Sequence, residues 1–363
     1  MTKSESFVRS LVALTALATI ALGAAGASAM SVDEIATYSK PDRQQILEAG
    51  AKKEGEMLWI GGLNEKTATR PILAAFKKKY PYIDAKAIRT GTAEGLQRVL
   101  AEHRAKTPRV DLINSNVIEE LKEAGLAQRI KTPLLDSFPA DFKDPEGLYA
   151  TLRYSYHGIA AWNTSVVSEK DSPKTYGDLL DPRWKGKMVA SDSMDTGLPF
   201  LMTYMRVLKG EKESMDYFEK LSKQQVKVSS ASNRNLLDMV IAGEHTLILN
   251  PALHHIGQSK AKGAPVEGSM ADPVLARNGY FVMLTTAPHP HATMLLIDFL
   301  LQEEAQNIIK QESFYPAHPD IEPLDEMKAY TPKAKGFKQL TMDDTILSKY
   351  GPESMGIFTK LFQ

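Results

Sequence analysis

Of 363 residues, 44 are Lys or Arg and 44 are Asp or Glu, none is Cys, and the formal net charge is +0. Charges are interspersed rather than blocked, so no basic field draws nucleic acid, and thiol redox chemistry is excluded outright. A chain of this length buries about 75% of its unfolded surface, so it can dispense with disulfides, and the length favours two domains.

Lys3 and Arg9 precede a charge-free run from Leu11 to Leu22, and Ala27-Ser28-Ala29 forms a small-residue cleavage site. Residues 1–29 therefore read as a signal peptide, and the remainder stays close to neutral. The run is short and alanine-rich for a membrane span, and no second stretch of spanning length follows. A lipid anchor would need a Cys at the new N-terminus. The mature chain is expected to be soluble, periplasmic, monomeric and not itself membrane-spanning.

Strands and helices then alternate. Met57 to Ile60 reads as a strand ending at Gly61-Gly62, followed by a helix whose shared face holds Ile72, Leu73 and Phe76; Tyr80-Pro81 stops it. Ala85 to Ile88 is the next strand, Thr90-Gly91-Thr92 the turn, and Leu96, Val99 and Leu100 the buried stripe of the next helix. Val110 to Ile113 is a third strand, and Val117 to Ala124 a helix closed by Gly125. Such a β-α-β-α-β-α series implies a mainly parallel sheet covered on both faces.

Leu152 to Trp162 is strand-like but interrupted by Gly158. A helix is expected near Thr175 and a turn at Asp181-Pro182. A second series follows: a strand at Met188 to Ala190, helices at Leu198 to Leu208, Met215 to Leu221 and Asn233 to Ala242, and a strand at Thr246 to Leu249. Tyr280 to Leu284 reads as a return strand, with helices at Met294 to Leu301 and Ala305 to Lys310. The tail carries prolines at 316, 319, 323, 332 and 352.

The segment AAWNTSVVSEKDSPKTYGDLLDPRWKGKM, Ala160 to Met188, resembles the "YNT … P.TW.DLLDP.WKGK" stretch of bacterial periplasmic solute-binding proteins in the ferric-binding branch, with Tyr176 in place of a common Trp and Trp162 in place of a common Tyr. The resemblance extends from KEGEMLWIGGL (Lys53 to Leu63) to LLIDFLLQEEAQ (Leu295 to Gln306). It implies an α/β, two-lobed type II periplasmic binding protein, each lobe a mainly parallel sheet flanked by helices, joined by a hinge. The expected division is 30–157 for lobe 1, 158–279 for lobe 2, 280–320 for a return into lobe 1, and 321–363 for a helical tail packing on the lobes. Crossings near Tyr156 to Ala160 and Asn278 to Val282 would place a cleft where open α/β sheets bind ligands. The implied partners are a small-molecule ligand and an inner-membrane ABC permease and ATPase complex; no cofactor is expected.

Ferric-binding members of that branch hold iron with a Tyr-Tyr pair, because hard phenolates match a hard trivalent cation. Matching Asn250 to the family's Asn before those tyrosines puts Pro251 and Ala252 in their places, and neither ligates. His254 and His255 follow; they are the metal candidates, with polar cleft-rim side chains as the plainer reading. The family's anion half of the site is matched by Thr196-Gly197-Leu198 at a helix start, by Asn233 and by Asn250. Helix starts present unpaired N–H groups, and amides donate without a counter-charge. Thr90, Gly91 and Thr92 make a similar set in the facing lobe, with Asn64 after the first strand, and Arg153 and Arg234 offer bidentate partners. Capping alone would also explain Thr92, Thr196 and Asn233, and structural ion pairs would explain both arginines.

Neither HExxH nor GxSxG occurs. A periplasmic hydrolase is the reading of another class, with Asp192, Asp195 and Glu244 as available carboxylates. The expected role is that of a non-catalytic receptor capturing a small organic anion bearing phosphate, phosphonate or carboxylate. Ferric iron, with or without a synergistic anion, is the alternative.

Overall fold

The computed structural model describes residues 30–363; the signal peptide read at 1–29 lies outside the described residues. Among the described residues twelve strands form two sheets. Strands β1 (Glu56–Gly61), β2 (Asp84–Arg89) and β3 (Leu112–Asn114) pair in parallel, in the order β2-β1-β3, as the first alternating series requires. Ile60, Val99, Ile113 and Leu121 fill the core beside them.

The next two strands leave this parallel pattern. β4 (Ala150–His157) runs antiparallel to β10 (Val274–Met283), and β10 in turn runs antiparallel to β3. All ten residues of β10 are buried, as expected of a strand with neighbours on both sides. β10 begins six residues before the return strand read at Tyr280. An Arg277-Asn278-Gly279 stretch has no strand propensity of its own, and only its pairing with β4 holds it extended.

The second sheet has the order β7-β6-β8-β5-β9, from β5 (Ala160–Asn163), β6 (Met188–Ser191), β7 (Lys227–Ser229), β8 (Leu247–Leu249) and β9 (Val266–Gly268). Between β5 and β6 the helix expected near Thr175 is only single 3-10 turns, Gly177–Leu180 and Pro182–Trp184. They seat Tyr176 and Trp184 in a core with Trp162, Phe200, Tyr204 and Phe218. The helix Leu253–Ala261 and strands β7 and β9 were not legible, because each is short and mixed in polarity.

The chain passes from the first sheet to the second between β4 and β5, at Gly158. It returns between β9 and β10, not at Asn278 to Val282: Ile159 N donates to Ser269 O (2.8 Å) and Ser269 N to Ala160 O (3.0 Å). A third connection follows. β11 (Tyr315–Pro316) pairs with β4, and β12 (Gln339–Thr341) joins β10; the helix Asp344–Phe362 then sets Phe358 into the second core. At its start, buried Asp344 takes Arg277 Nη2 (2.6 Å) and the Tyr280 hydroxyl.

The stretch Pro288-His289-Pro290-His291 is tied into the first lobe by two carboxylates. Asp111, wholly buried, accepts from Leu58 N (2.8 Å) and His289 N (2.7 Å) and pairs with His289 Nδ1 (3.0 Å), while His291 Nδ1 meets Glu54 (2.6 Å). The hydrogen bond to Asp111 raises the His289 pKa above its usual value. A raised folded pKa contributes stability that is fully present below the unfolded value near 6.5 and is lost as pH rises through the folded one. Urea unfolding should therefore show stability declining from about pH 6 upward. Asp111→Asn should lower stability by about 3 kcal/mol and flatten that decline; an unchanged pH slope in the variant would refute the assignment.

Candidate functional site

Side chains alternate along a strand, and on β4 this puts Arg153, Ser155 and His157 on one face, beside Arg277 and Gly279 of β10. Ser155 Oγ donates to Arg277 O (3.4 Å), and the Arg153 guanidinium lies against Gly279. These residues form a polar floor on the two strands that lead to and from the second sheet. Sequence reading found Arg153 but missed His157 and Arg277. The available signal was a polar side chain at every second position of an otherwise apolar strand.

Arg277 is neutralised from several sides. It pairs with Asp344, stands 3.6 Å from Asp195, and donates to Met342 O (3.0 Å) and to the Asn116 amide oxygen (2.8 Å from Nη2). A cavity of about 440 Å3 opens there, lined by Asn116, Met194, Asp195, Arg277, Asp344 and Leu347 among others. Arg153 has no such compensation: among the described residues its guanidinium makes no hydrogen bond or ion pair, and its Nε is buried without a partner. Burial, and then Arg277, lower its pKa to about 10.

The histidines near the floor are held neutral. Burial lowers the pKa of His157 to about 4, although a weak contact of Nδ1 with Asn250 O (3.4 Å) opposes it, and among the described residues its Nε2 has no partner. His254 is pushed well below its usual value by burial and then by His255, Arg153 and His157; among the described residues its Nδ1 is also buried and unpaired. Burial brings His255, which contacts Gln258, to about 4. Among the described residues no group of three or more His, Asp or Glu side chains is placed to hold a metal ion.

The residues matched to the anion half of the family site form an interlock inside the second lobe. Asn250, fully buried at φ 52°, donates through Nδ2 to Thr196 O (2.9 Å) and Gly197 O (3.2 Å). Asn233 Nδ2 donates to Asn250 O (3.0 Å), and its Oδ1 accepts from Ala252 N (2.7 Å). A Cβ at Gly197 would stand 2.2 Å from Ser191 O, so the backbone of the preceding strand already requires glycine there. The cap of the Asn233–Ile241 helix is Ser232, which accepts from Asn235 N (3.2 Å), not Asn233. Pro251 and Ala252 pair with the end of β4: Gly158 N donates to Pro251 O (2.9 Å), and His157 forms a bridge with Ala252.

The remaining predicted residues are engaged locally. Arg234 pairs with Asp238 and donates to His255 O (3.2 Å) and Ser259 Oγ (2.9 Å). Asn64 is exposed and accepts from Lys66 N (3.0 Å) and Thr67 N (3.3 Å). At the Thr92–Ala105 helix start, Gly91 N donates to Glu94 (3.4 Å), so a carboxylate of this chain already faces those N–H groups. Thr92 is exposed, while Thr90 Oγ1 turns inward toward Gly95, buried and unpaired.

A two-lobed α/β protein with polar groups at the strands between its sheets has the architecture of a solute receptor. Residues 107–344 match the bacterial extracellular solute-binding protein family, and the chain belongs to that family. It is 23% identical to iron uptake protein A1 of Synechocystis over 278 residues, 72% of this chain and 74% of that protein. The fold is that of two-lobed periplasmic binding proteins. IdiA (FutA) of Trichodesmium, solved with iron and citrate, superposes with a TM-score of 0.71 at 17% identity, covering 85% of this chain and 99% of that one. The apo ferric ion-binding protein A of Pasteurella haemolytica gives 0.70 at 19% identity, over 85% and 98%. Among the described residues no helix is long and apolar enough to cross a membrane.

Replacing Asn250 by Ala removes two hydrogen bonds to the Thr196-Gly197 turn, whose carbonyls keep Asn233 Nδ2 (3.5 Å) and Leu201 N (3.1 Å), so urea unfolding should show a loss of about 1–3 kcal/mol. Stability within about 0.5 kcal/mol of the parent, together with a fall in ligand affinity, would instead assign this amide to the ligand.

Proposed function

We propose that the chain is the periplasmic receptor of an ABC importer and that its cargo is ferric iron carried in an anionic chelate. The observation that carries iron is the likeness to iron uptake proteins A1 and A2 of Synechocystis over 72% and 69% of this chain. The chelated form is supported by the chemistry of the cleft. Pro251 and Ala252 stand where the resemblance places paired phenolates, so hard oxygen donors for a trivalent ion must come with the ligand. A floor on which Arg277 is balanced by Asp344 while Arg153 meets no carboxylate suits the negative charge of a chelate better than it suits a bare cation. The protein would bind and release without catalysing a reaction.

A second reading, an organic anion without metal, is favoured by the same cationic floor. Titration calorimetry with ferric citrate and with citrate alone separates the two. Ferric citrate should bind one to one and citrate at least about tenfold more weakly, a gap of about 1.4 kcal/mol. Equal affinity for both would leave the second reading. Iron offered from a weak chelator should give no visible phenolate-to-iron absorption band; a stoichiometric band would sink the chelate form. Two lobes joined at the β4–β5 and β9–β10 crossings should close on the ligand, so scattering at saturation should show a smaller radius of gyration.

A further inference from the structure

The guanidinium of Arg153 is held like a recognition group but recognises nothing among the described residues. Its Cζ lies 3.9 Å from the centre of the Phe314 ring. On β10 its atoms come so close to Gly279 that a Cβ there would stand 3.1 Å from Cζ. Aromatic stacking therefore fixes the plane of the fork, and the missing Cβ gives it room. His254 packs on the same Phe314 ring, 5.1 Å between centroids, with its Nδ1 buried and unpaired.

The fully buried arginines have acceptors. Arg43 meets Asp298 through both Nη atoms, at 2.5 and 3.1 Å, and Arg277 meets Asp344. Taking a cation out of water without a counter-charge is costly, and proteins compensate it with an anion. At Arg153 no carboxylate among the described residues supplies that anion.

We propose that Arg153, set between Phe314 and Gly279 and flanked by His254, is a carboxylate-binding subsite. The open edge of the fork takes both oxygens of one carboxylate, and His254 adds a neutral contact at its side. This inference rests on reading the cleft as the binding site but not on iron: the carboxylate belongs either to a chelator or to a free organic acid. The subsite is separate from the Asn233, Asn250 and Thr196-Gly197 set, whose amide Nδ2 donors are taken up by carbonyls of the same set.

The test uses citrate, ferric citrate and inorganic phosphate as probes, with calorimetry and melting curves at low ionic strength. Arg153→Met keeps the stem on Phe314 and removes the charge. It should weaken citrate or ferric citrate at least about tenfold, the loss of one charged hydrogen bond, and should melt no lower than the parent without ligand. Gly279→Ala leaves every charge in place and displaces the guanidinium, so it should weaken the same ligands and remains informative if Arg153→Met fails to fold. Unchanged affinity in the folded variants overturns the subsite, as does a parent protein that binds none of the three probes. Phosphate binding as tight as citrate overturns the carboxylate assignment. Arg153-dependent binding of citrate with no gain from iron would uphold the subsite while the iron reading fails.

Discussion

The molecule depends on the antiparallel pairing of β4 with β10, the two strands that connect the first sheet to the second. One leaves for the second sheet at Gly158 and the other returns from it just before Val274, so their hydrogen-bonded ladder is at once a structural seam and the floor between the lobes. A strand buried on both sides reads as apolar, and β10 largely does; of the polar exceptions on this seam, Arg153, Ser155, His157 and Arg277 share one face, while Asn278 lies on the other. That concentration of polar groups makes the seam the candidate site. The same pairing makes relative motion of the lobes a matter of a few backbone dihedrals at the crossings.

The asparagines of the second lobe show how one local pattern serves two ends. An amide at a strand end and another at a helix start are what an oxyanion site needs, and they are also what is needed to satisfy backbone groups where β6 and β8 end side by side. In this chain the second use prevails: Asn250 takes two carbonyls of the Thr196-Gly197 turn, and Asn233 holds Asn250 and Ala252. Leaving buried carbonyls unpaired costs as much as a lost hydrogen bond. The first lobe behaves similarly, because Glu94 already faces the N–H of Gly91.

Charge compensation sorts the arginines. Arg43, Arg206, Arg234 and Arg277 each face carboxylates of the chain and brace helices or the C-terminal segment. Arg206 also donates to Tyr350 O and Ser354 Oγ, anchoring the last helix to the second lobe. Arg153 differs in that its neighbours are an aromatic ring, a glycine and neutral histidines. Those histidines stay neutral because burial takes them out of water, and the nearby cations add to the effect, since protonation would bring like charge beside them.

The sequence by itself determined the alternating α/β elements of both lobes, the crossing at Gly158, the neutral surface and the likeness to solute receptors. Each of these rests on periodicity, turn chemistry or an ordered motif, all local along the chain. Tertiary structure decided the rest. It set where β10 begins, since Arg277-Asn278-Gly279 is a strand only because β4 pairs with it. It also decided which candidates are engaged: Asn250 and Thr196 are far apart in sequence, as are Arg234 and Ser259, and no spacing rule shows that their polar atoms meet. The standing of Arg153 depended on Phe314 and Gly279, both more than a hundred residues away along the chain. Whether a buried charge is balanced is a property of everything that surrounds it, and only the folded chain supplies those surroundings.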